Sequence, residues 1–265
     1  MSKLKTIGFL IPESDVPRKY LLRASLAGGG VRCANEWEIY AFPRGGETPP
    51  SRKQESTGGG AVSAPQANVK VVSDISEADL LAAMAKGERV LLLGAGPFKS
   101  TQTSYRIGMA GRCVGNFATV IKAGHPALAG LPHEGFCGWQ FRRLMDDGRA
   151  IQLEADVPFD PVVDVASAVK CVIRQSMLFE YRIGEGRLLV CSFRFRGSDP
   201  AAAWLRDRLV AYAASDDFQP RQALTPEQLH AVVSAPLVSG AADTNRARNQ
   251  HDPSSAVRAG ALAQP

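Results

Sequence analysis

The residues of this chain best suited to chemistry are a cysteine and two histidines. Cys113 stands in Gly111-Arg112-Cys113-Val114-Gly115, within "AGRCVGNF", where small flanking residues permit the tight turn that presents a side chain outward. A thiol becomes a nucleophile only when deprotonated, so it needs an oriented base. The nearest bases along the chain are His125 in "GHPAL" and His133 in "LPHEG", the latter followed directly by Glu134. A second constellation overlaps the first. Trp139 and Gln140 in "HEGFCGWQF", with His133 and Glu134 nearby, combine an aromatic face with amide and carboxylate groups, the mix that stacks on sugars and bonds their hydroxyls. The competing reading is structural, with Trp139 and Phe141 anchoring a helix to a sheet.

Other chemistries are poorly supported. Glu36 and Glu38 share one strand face, and Asp146 and Asp147 are adjacent. A retaining glycosidase needs its two carboxyl groups about 5 to 5.5 Å apart across a sugar, and nothing in this spacing sets that, so solvated faces are expected. "LLLGAGPFK" at 91–99 begins like a dinucleotide loop, but Lys99 stands where G-x-G-x-x-G needs glycine and no helical pattern follows. No cofactor is expected. The five cysteines (33, 113, 137, 171, 191) contain no C-x-x-C pair, and His230 and His251 have no ligand spacing around them, so neither a metal site nor a disulfide framework is expected.

With 31 basic residues against 26 acidic ones, the net charge of +5 is a mild excess, without a basic run dense enough to track a phosphate backbone. Nucleic acid is therefore not an expected partner. The only apolar run near the start is "IGFLI", too short for a signal peptide, and no segment reaches the roughly 20 apolar residues of a membrane span. The expectation is a soluble chain, cytoplasmic if complete and secreted or periplasmic if a fragment, with no membrane contact.

The elements that must position these residues fall into blocks. Residues 1–44 read as β structure, "KTIGFLIP", "KYLLRASLAGGGVRC" and "EWEIYAFPR", with a glycine run at 28–30 that turns a hairpin. Apolar 37, 39 and 41 alternate with polar 36 and 38, which predicts one buried and one wet face. Three strands are too few to close a sandwich, so the block is expected to be part of one. Residues 45–66 have linker composition. Beyond them, "VKVVSDI", "SEADLLAAMAKGE" and "RVLLLGAG" predict a βαβ unit with a buried parallel strand. "PVVDVA", "SMLFEYRI" and "RLLVCSFRF" add three strands, the last two joined through Gly184-Glu185-Gly186. Asp199 and Pro200 open an amphipathic helix through Ala214. The expected fold for 67–220 is thus α/β, and 221–265 carries one short helix, "TPEQLHAVVS", and a tail.

Two stretches carry a family resemblance: "NEWEIYAFPR" at 35–44, and 124–220 from "GHPALAGLPHEGFCGWQFRRL" through "MLFEYRIGEGRLLVCSF" to "YAASDDFQP". Together they resemble the C-terminal region of glycoside hydrolase family 2 (β-galactosidase-like) proteins, where a β-sandwich leads into a flavodoxin-like domain. The resemblance implies a three-layer, flavodoxin-like α/β domain related to class I glutamine amidotransferases, preceded by a partial sandwich. The G-x-C-x-G around Cys113 is similar to the amidotransferase nucleophile turn, but "TSYRIGMA" makes a poor preceding strand and the partner H-x-E element is missing.

The family's catalytic barrel and sugar-binding jelly roll have no counterpart here, so neither catalytic carboxylate carries over. The resemblance therefore implies a noncatalytic accessory segment, a fragment or one piece of a split gene, whose partner is a glycosidase catalytic domain encoded elsewhere. The alternatives are an independent amidotransferase-like hydrolase using Cys113 with His125 or His133, and a carbohydrate-binding module around Trp139 and Gln140.

Overall fold

A computed structural model describes residues 8–43, 68–105, 118–166 and 173–238. The first block is a ribbon of two antiparallel strands, β1 (Arg18–Gly28) and β2 (Val31–Ala41), in register from Arg18↔Ala41 to Gly28↔Val31. Gly29 and Gly30 form the turn with φ of 56° and 79°. Two successive positive φ values match the right-handed twist of the flanking strands, and glycine reaches them without strain. Among the described residues the ribbon pairs with no other strand. "VRC" and "EWEIYA", separated in the sequence reading, are one continuous strand. Residues 8–14 of "KTIGFLIP" and its surroundings are not in a strand, and 1–7 lie outside the described residues.

The rest is built on a mixed sheet. Its strands are β3 (Val69–Val72), β4 (Arg89–Leu93), β5 (Ser100–Gln102), β6 (Ala118–Ile121), β7 (Arg149–Gln152), β8 (Val163–Ala166), β9 (Gln175–Ile183), β10 (Gly186–Cys191) and β11 (Ala223–Leu224). The helices are α1 (Glu77–Ala85), α2 (Arg142–Met145), α3 (Pro200–Ala214) and α4 (Pro226–Ser234). The predicted βαβ unit is present: β3 and β4 are parallel, joined by α1, whose N-cap Ser76 accepts from the Asp79 amide. β10 lies parallel on the other side of β4. From there the sheet turns antiparallel, with β9 against β10, β7 and β8 against β9, β5 against β7, and β6 against β8.

This corrects the expected three-layer, flavodoxin-like α/β domain: the molecule is strand-rich, with mixed and antiparallel pairing and four α-helices among the described residues. Two physical causes are visible. The two-residue connection between β9 and β10, with Gly184 at φ 58°, can only reverse the chain, because parallel neighbours need a long crossover. Between β4 and β9, moreover, the chain never sustains an apolar run of helical period. Prolines at 126 and 132 and glycines at 124, 130, 135 and 138 interrupt it, and the described part yields short strands, two 3-10 turns and the four-residue α2.

β4 and β10 are apolar on both sides because each side is covered. Leu91, Leu189 and Met177 pack with Leu205 and Leu209 of α3. Val90, Leu92, Leu188 and Val190 pack with Leu80 and Met84 of α1 and with Leu229 and Val232 of α4. Gly186 lets α1 approach β10, since a Cβ there would lie 2.6 Å from Met84 Cα. Asp199 caps α3 through the Ala201 amide with Pro200 in the first turn, as read from sequence, and Thr225 with Gln228 forms a capping box on α4. Among the described residues no helix is long and apolar enough to cross a membrane.

Candidate functional site

Cys113 and the glycines flanking it lie outside the described residues. Its first candidate base, His125, is nearly buried and already engaged. Nδ1 accepts from the Ala127 amide at 3.3 Å, which starts the 3-10 turn at Pro126–Leu128, and the ring meets Tyr212 edge-on at 5.7 Å. Nε2 faces Glu180 Oε1 at 3.7 Å, and the Tyr212 hydroxyl donates to Glu180 Oε2 at 2.8 Å. Burial and the Glu180 carboxylate raise the Tyr212 phenol far above its ordinary range. Arg208 adds a bond from its guanidinium to the Pro126 carbonyl at 2.6 Å. These contacts tie the 122–131 loop to β9 and α3. Glu180, on β9 and far from the loop in sequence, thus stands beside His125.

His133 repeats the device of His125, its Nδ1 accepting from the Gly135 amide at 3.2 Å; burial lowers its pKa. Glu134 points away from His133's role and joins Lys19 at 2.5 Å, and Lys19 also meets Glu38 at 2.5 Å. The two carboxylates hold the Lys19 ammonium above its usual pKa, while Lys19 and then the Tyr40 hydroxyl hold the Glu38 carboxyl below the ordinary carboxylate range. Gln140 is buried. Its Nε2 donates to the Pro132 carbonyl at 2.6 Å, so this side chain braces its own loop. Trp139 is 59% exposed, one face against Tyr105 at 5.3 Å. Trp139 and Gln140, adjacent in sequence, are thus not brought to one surface; the buried anchor is Phe141.

The other chemical candidates are absorbed by structure. Glu36 pairs with Arg23 across the ribbon. Asp146 accepts from the Tyr105 amide, and Asp147, at φ 63°, holds Gln102 and Arg196. The Cys137 and Cys191 thiols are buried and pushed up to about 12, so both stay protonated, while Cys33 is exposed. His230 meets Glu77 at 2.8 Å. Among the described residues no group of three or more His, Cys, Asp or Glu side chains could hold a metal ion. Cys171 and His251 lie outside them.

One exposed surface runs against the sequence pattern. Paired residues of an antiparallel ribbon point to the same side, so Lys19, Arg23, Tyr40, Glu38 and Glu36 make one mostly charged face, with the exposed Leu21 among them. Tyr20, Leu22, Leu26, Cys33, Trp37 and Ile39 make the other, an apolar one. The alternation at 37, 39 and 41 predicts burial of that face, yet Trp37 is 46% and Leu26 69% exposed. Contiguous exposed apolar surface of this kind marks interaction sites. The ribbon meets the remainder of the molecule at its base, through Lys19–Glu134 and through Phe42 against Trp204 at 6.5 Å.

These features define a strand-rich protein whose mixed sheet, parallel at one end and antiparallel at the other, carries a two-stranded β ribbon. Residues 71–234 match the family described as Domain of unknown function (DUF8487), more than half of the chain, and the chain belongs to that family. The match begins inside β3 and ends with α4, so it takes in the mixed sheet and leaves the ribbon out. No curated protein matches the chain.

Proposed function

We propose that this chain is a noncatalytic accessory segment that docks through the apolar face of its ribbon onto the β-sandwich of a glycoside hydrolase family 2-like protein. The observation that carries the reading is the exposed row of Leu26, Val31, Cys33 and Trp37 on strands whose alternation is that of a half-buried sheet. A two-stranded ribbon is marginal in water by itself, and an opposing sheet about 10 Å away is what such a face packs against. The charged face, with Lys19, Glu38 and Glu134 linked, stays toward solvent and the mixed sheet. The engaged rings of His125 and His133 favour this reading over the amidotransferase-like one.

The test is coexpression with a glycoside hydrolase family 2-like protein encoded beside this chain. A stable complex is expected on size-exclusion chromatography, weakened at least about tenfold by Leu26→Ser with Trp37→Ser, the loss of two apolar anchors. The chain alone should not turn over aryl β-galactosides. A complex indifferent to both substitutions, or no complex, would sink the docking. Turnover by the chain alone that disappears on changing one of its carboxylates would sink the noncatalytic role.

A further inference from the structure

β3, β4 and β10 run parallel, so their carboxyl ends open on the same side of the sheet. In open sheets this is where ligands collect, in the crevice beyond the strand ends. Here the crevice is a cleft of about 990 Å³, walled by Ser73 after β3, Gly94 and Ala95 after β4, and the segment after β10. Gly94 is obligatory for the wall: a Cβ would sit 2.6 Å from the Ser73 carbonyl oxygen. The "LGAG" that resembles a dinucleotide loop therefore does line a cleft. Strand β5 follows it instead of a helix, so no helix N-terminus supplies positive charge there.

The charge comes from arginines. Arg149, Arg194, Arg196 and Arg206 line the cleft with Asp147 as the one carboxylate, leaving three positive charges. Asp147 takes Arg196 at 2.6 Å, and Arg149 donates to the Ser100 hydroxyl and carbonyl, both at 2.7 Å. Arg194 and Arg206 have no carboxylate partner among the described residues, whereas Arg23 and Lys122 each have one and Lys19 has two. A single carboxylate would leave most of this charge unmet. A phosphate monoester brings nearly two negative charges and acceptor oxygens that match the guanidinium fork.

A second observation points the same way. Past Gln102, Asp147 and Arg196 the cleft continues into a concavity of about 750 Å³. Thr103 and Asp199 form part of its wall, 2% and 6% exposed, and Thr103 Oγ1 and Asp199 Oδ2 are buried without a protein hydrogen-bond partner. Buried oxygens are almost always paired. A small rotation of either side chain would bring its oxygen to the concavity, where a hydroxyl-bearing ligand body would pair it.

We infer that this double cleft binds a small phosphomonoester, its phosphate among Arg194, Arg206 and Arg196 and its hydroxylated body toward Thr103 and Asp199. The site is independent of the ribbon, so its test and the docking test fail separately. Isothermal titration at constant ionic strength, with glycerol 3-phosphate, inorganic phosphate and acetate as probes, should show saturable one-to-one binding of glycerol 3-phosphate and none of acetate. Arg194→Gln with Arg206→Gln should weaken that binding at least about tenfold, two charge-assisted contacts being removed. Both side chains are exposed, so the variant should keep its circular dichroism spectrum, and Arg32→Gln on the ribbon should bind like the parent. Absence of saturable binding of both phosphate probes would overturn the inference. So would an affinity unchanged in the double variant, equal binding of acetate, or tighter arginine-dependent binding of a short single-stranded DNA.

Discussion

The ribbon and the mixed sheet are made of similar strands and held in opposite ways. β10 and β1 are both rich in aliphatic residues, but β10 has a strand on each side and a packed layer on each face, while β1 has one neighbour among the described residues and an open apolar face. Burial, worth about 25 cal/mol per Å² of apolar surface, therefore stabilises the sheet and contributes little to the ribbon. The ribbon keeps its shape from its ladder, its glycine turn and the tethers at its base. A strand pattern says that a face wants cover; it does not say that the same chain provides it.

The comparison is broken most directly by truncating one aromatic on each side. Phe179 is 1% exposed, with Phe98 and Tyr181 edge-on at 5.6 and 5.7 Å. Phe179→Ala should cost about 3–5 kcal/mol in denaturant unfolding, and Trp37→Ala on the ribbon about 0.5 kcal/mol or less. Similar losses for the two would mean that the ribbon face is buried in the isolated chain.

A smaller effect sharpens the account of the sheet side. Removing the Tyr212 hydroxyl leaves Glu180 Oε2, accepting at 2.8 Å, without that donor. Tyr212→Phe should cost about 1–3 kcal/mol, and Tyr20→Phe on the ribbon nothing measurable. A neutral Tyr212→Phe would mean that the His125–Glu180–Tyr212 contacts do not hold the 122–131 loop.

The smallest effect is in the pH dependence. Lys122 holds the Asp160 carboxyl below the ordinary carboxylate range through a 2.5 Å hydrogen bond. A depressed carboxyl pKa adds stability that is fully present above the unfolded-state value, near 3.9, and is lost as pH falls through the lower folded value. Since the Asp160 side chain is 36% exposed, screening keeps this below about 1 kcal/mol. Lys122→Met should therefore be slightly less stable than the parent at pH 6, with the gap closing below about pH 3. A gap that persists at pH 2 would assign the loss to packing of the Lys122 stem.

Much of the frame was legible in residues close in sequence. The caps of α1 and α3, the βαβ unit, the 28–30 turn and the β9–β10 pair all follow from short-range rules. Even the antiparallel course of β9 was written in its two-residue connection, although the family resemblance pointed to a parallel, flavodoxin-like arrangement. The short strands β5, β6, β7 and β11 left little trace, because two to four residues cannot establish a period. Among the site candidates, Trp139 and Gln140 looked like neighbours on one surface, yet a 3-10 turn sends one outward and the other under Pro132.

By itself, then, the sequence determined the longer strands β1, β4, β9 and β10 and the helices α1, α3 and α4, since these depend on dihedral preference, capping and period within a few residues. Tertiary structure alone decided the rest. It set Glu180 beside His125 and Lys19 beside Glu134, gathered arginines from β7, α3 and the segment after β10 around one cleft, and left the ribbon's apolar face uncovered. Each of these joins residues far apart along the chain, and their distance is set by how whole elements pack, which no local pattern encodes.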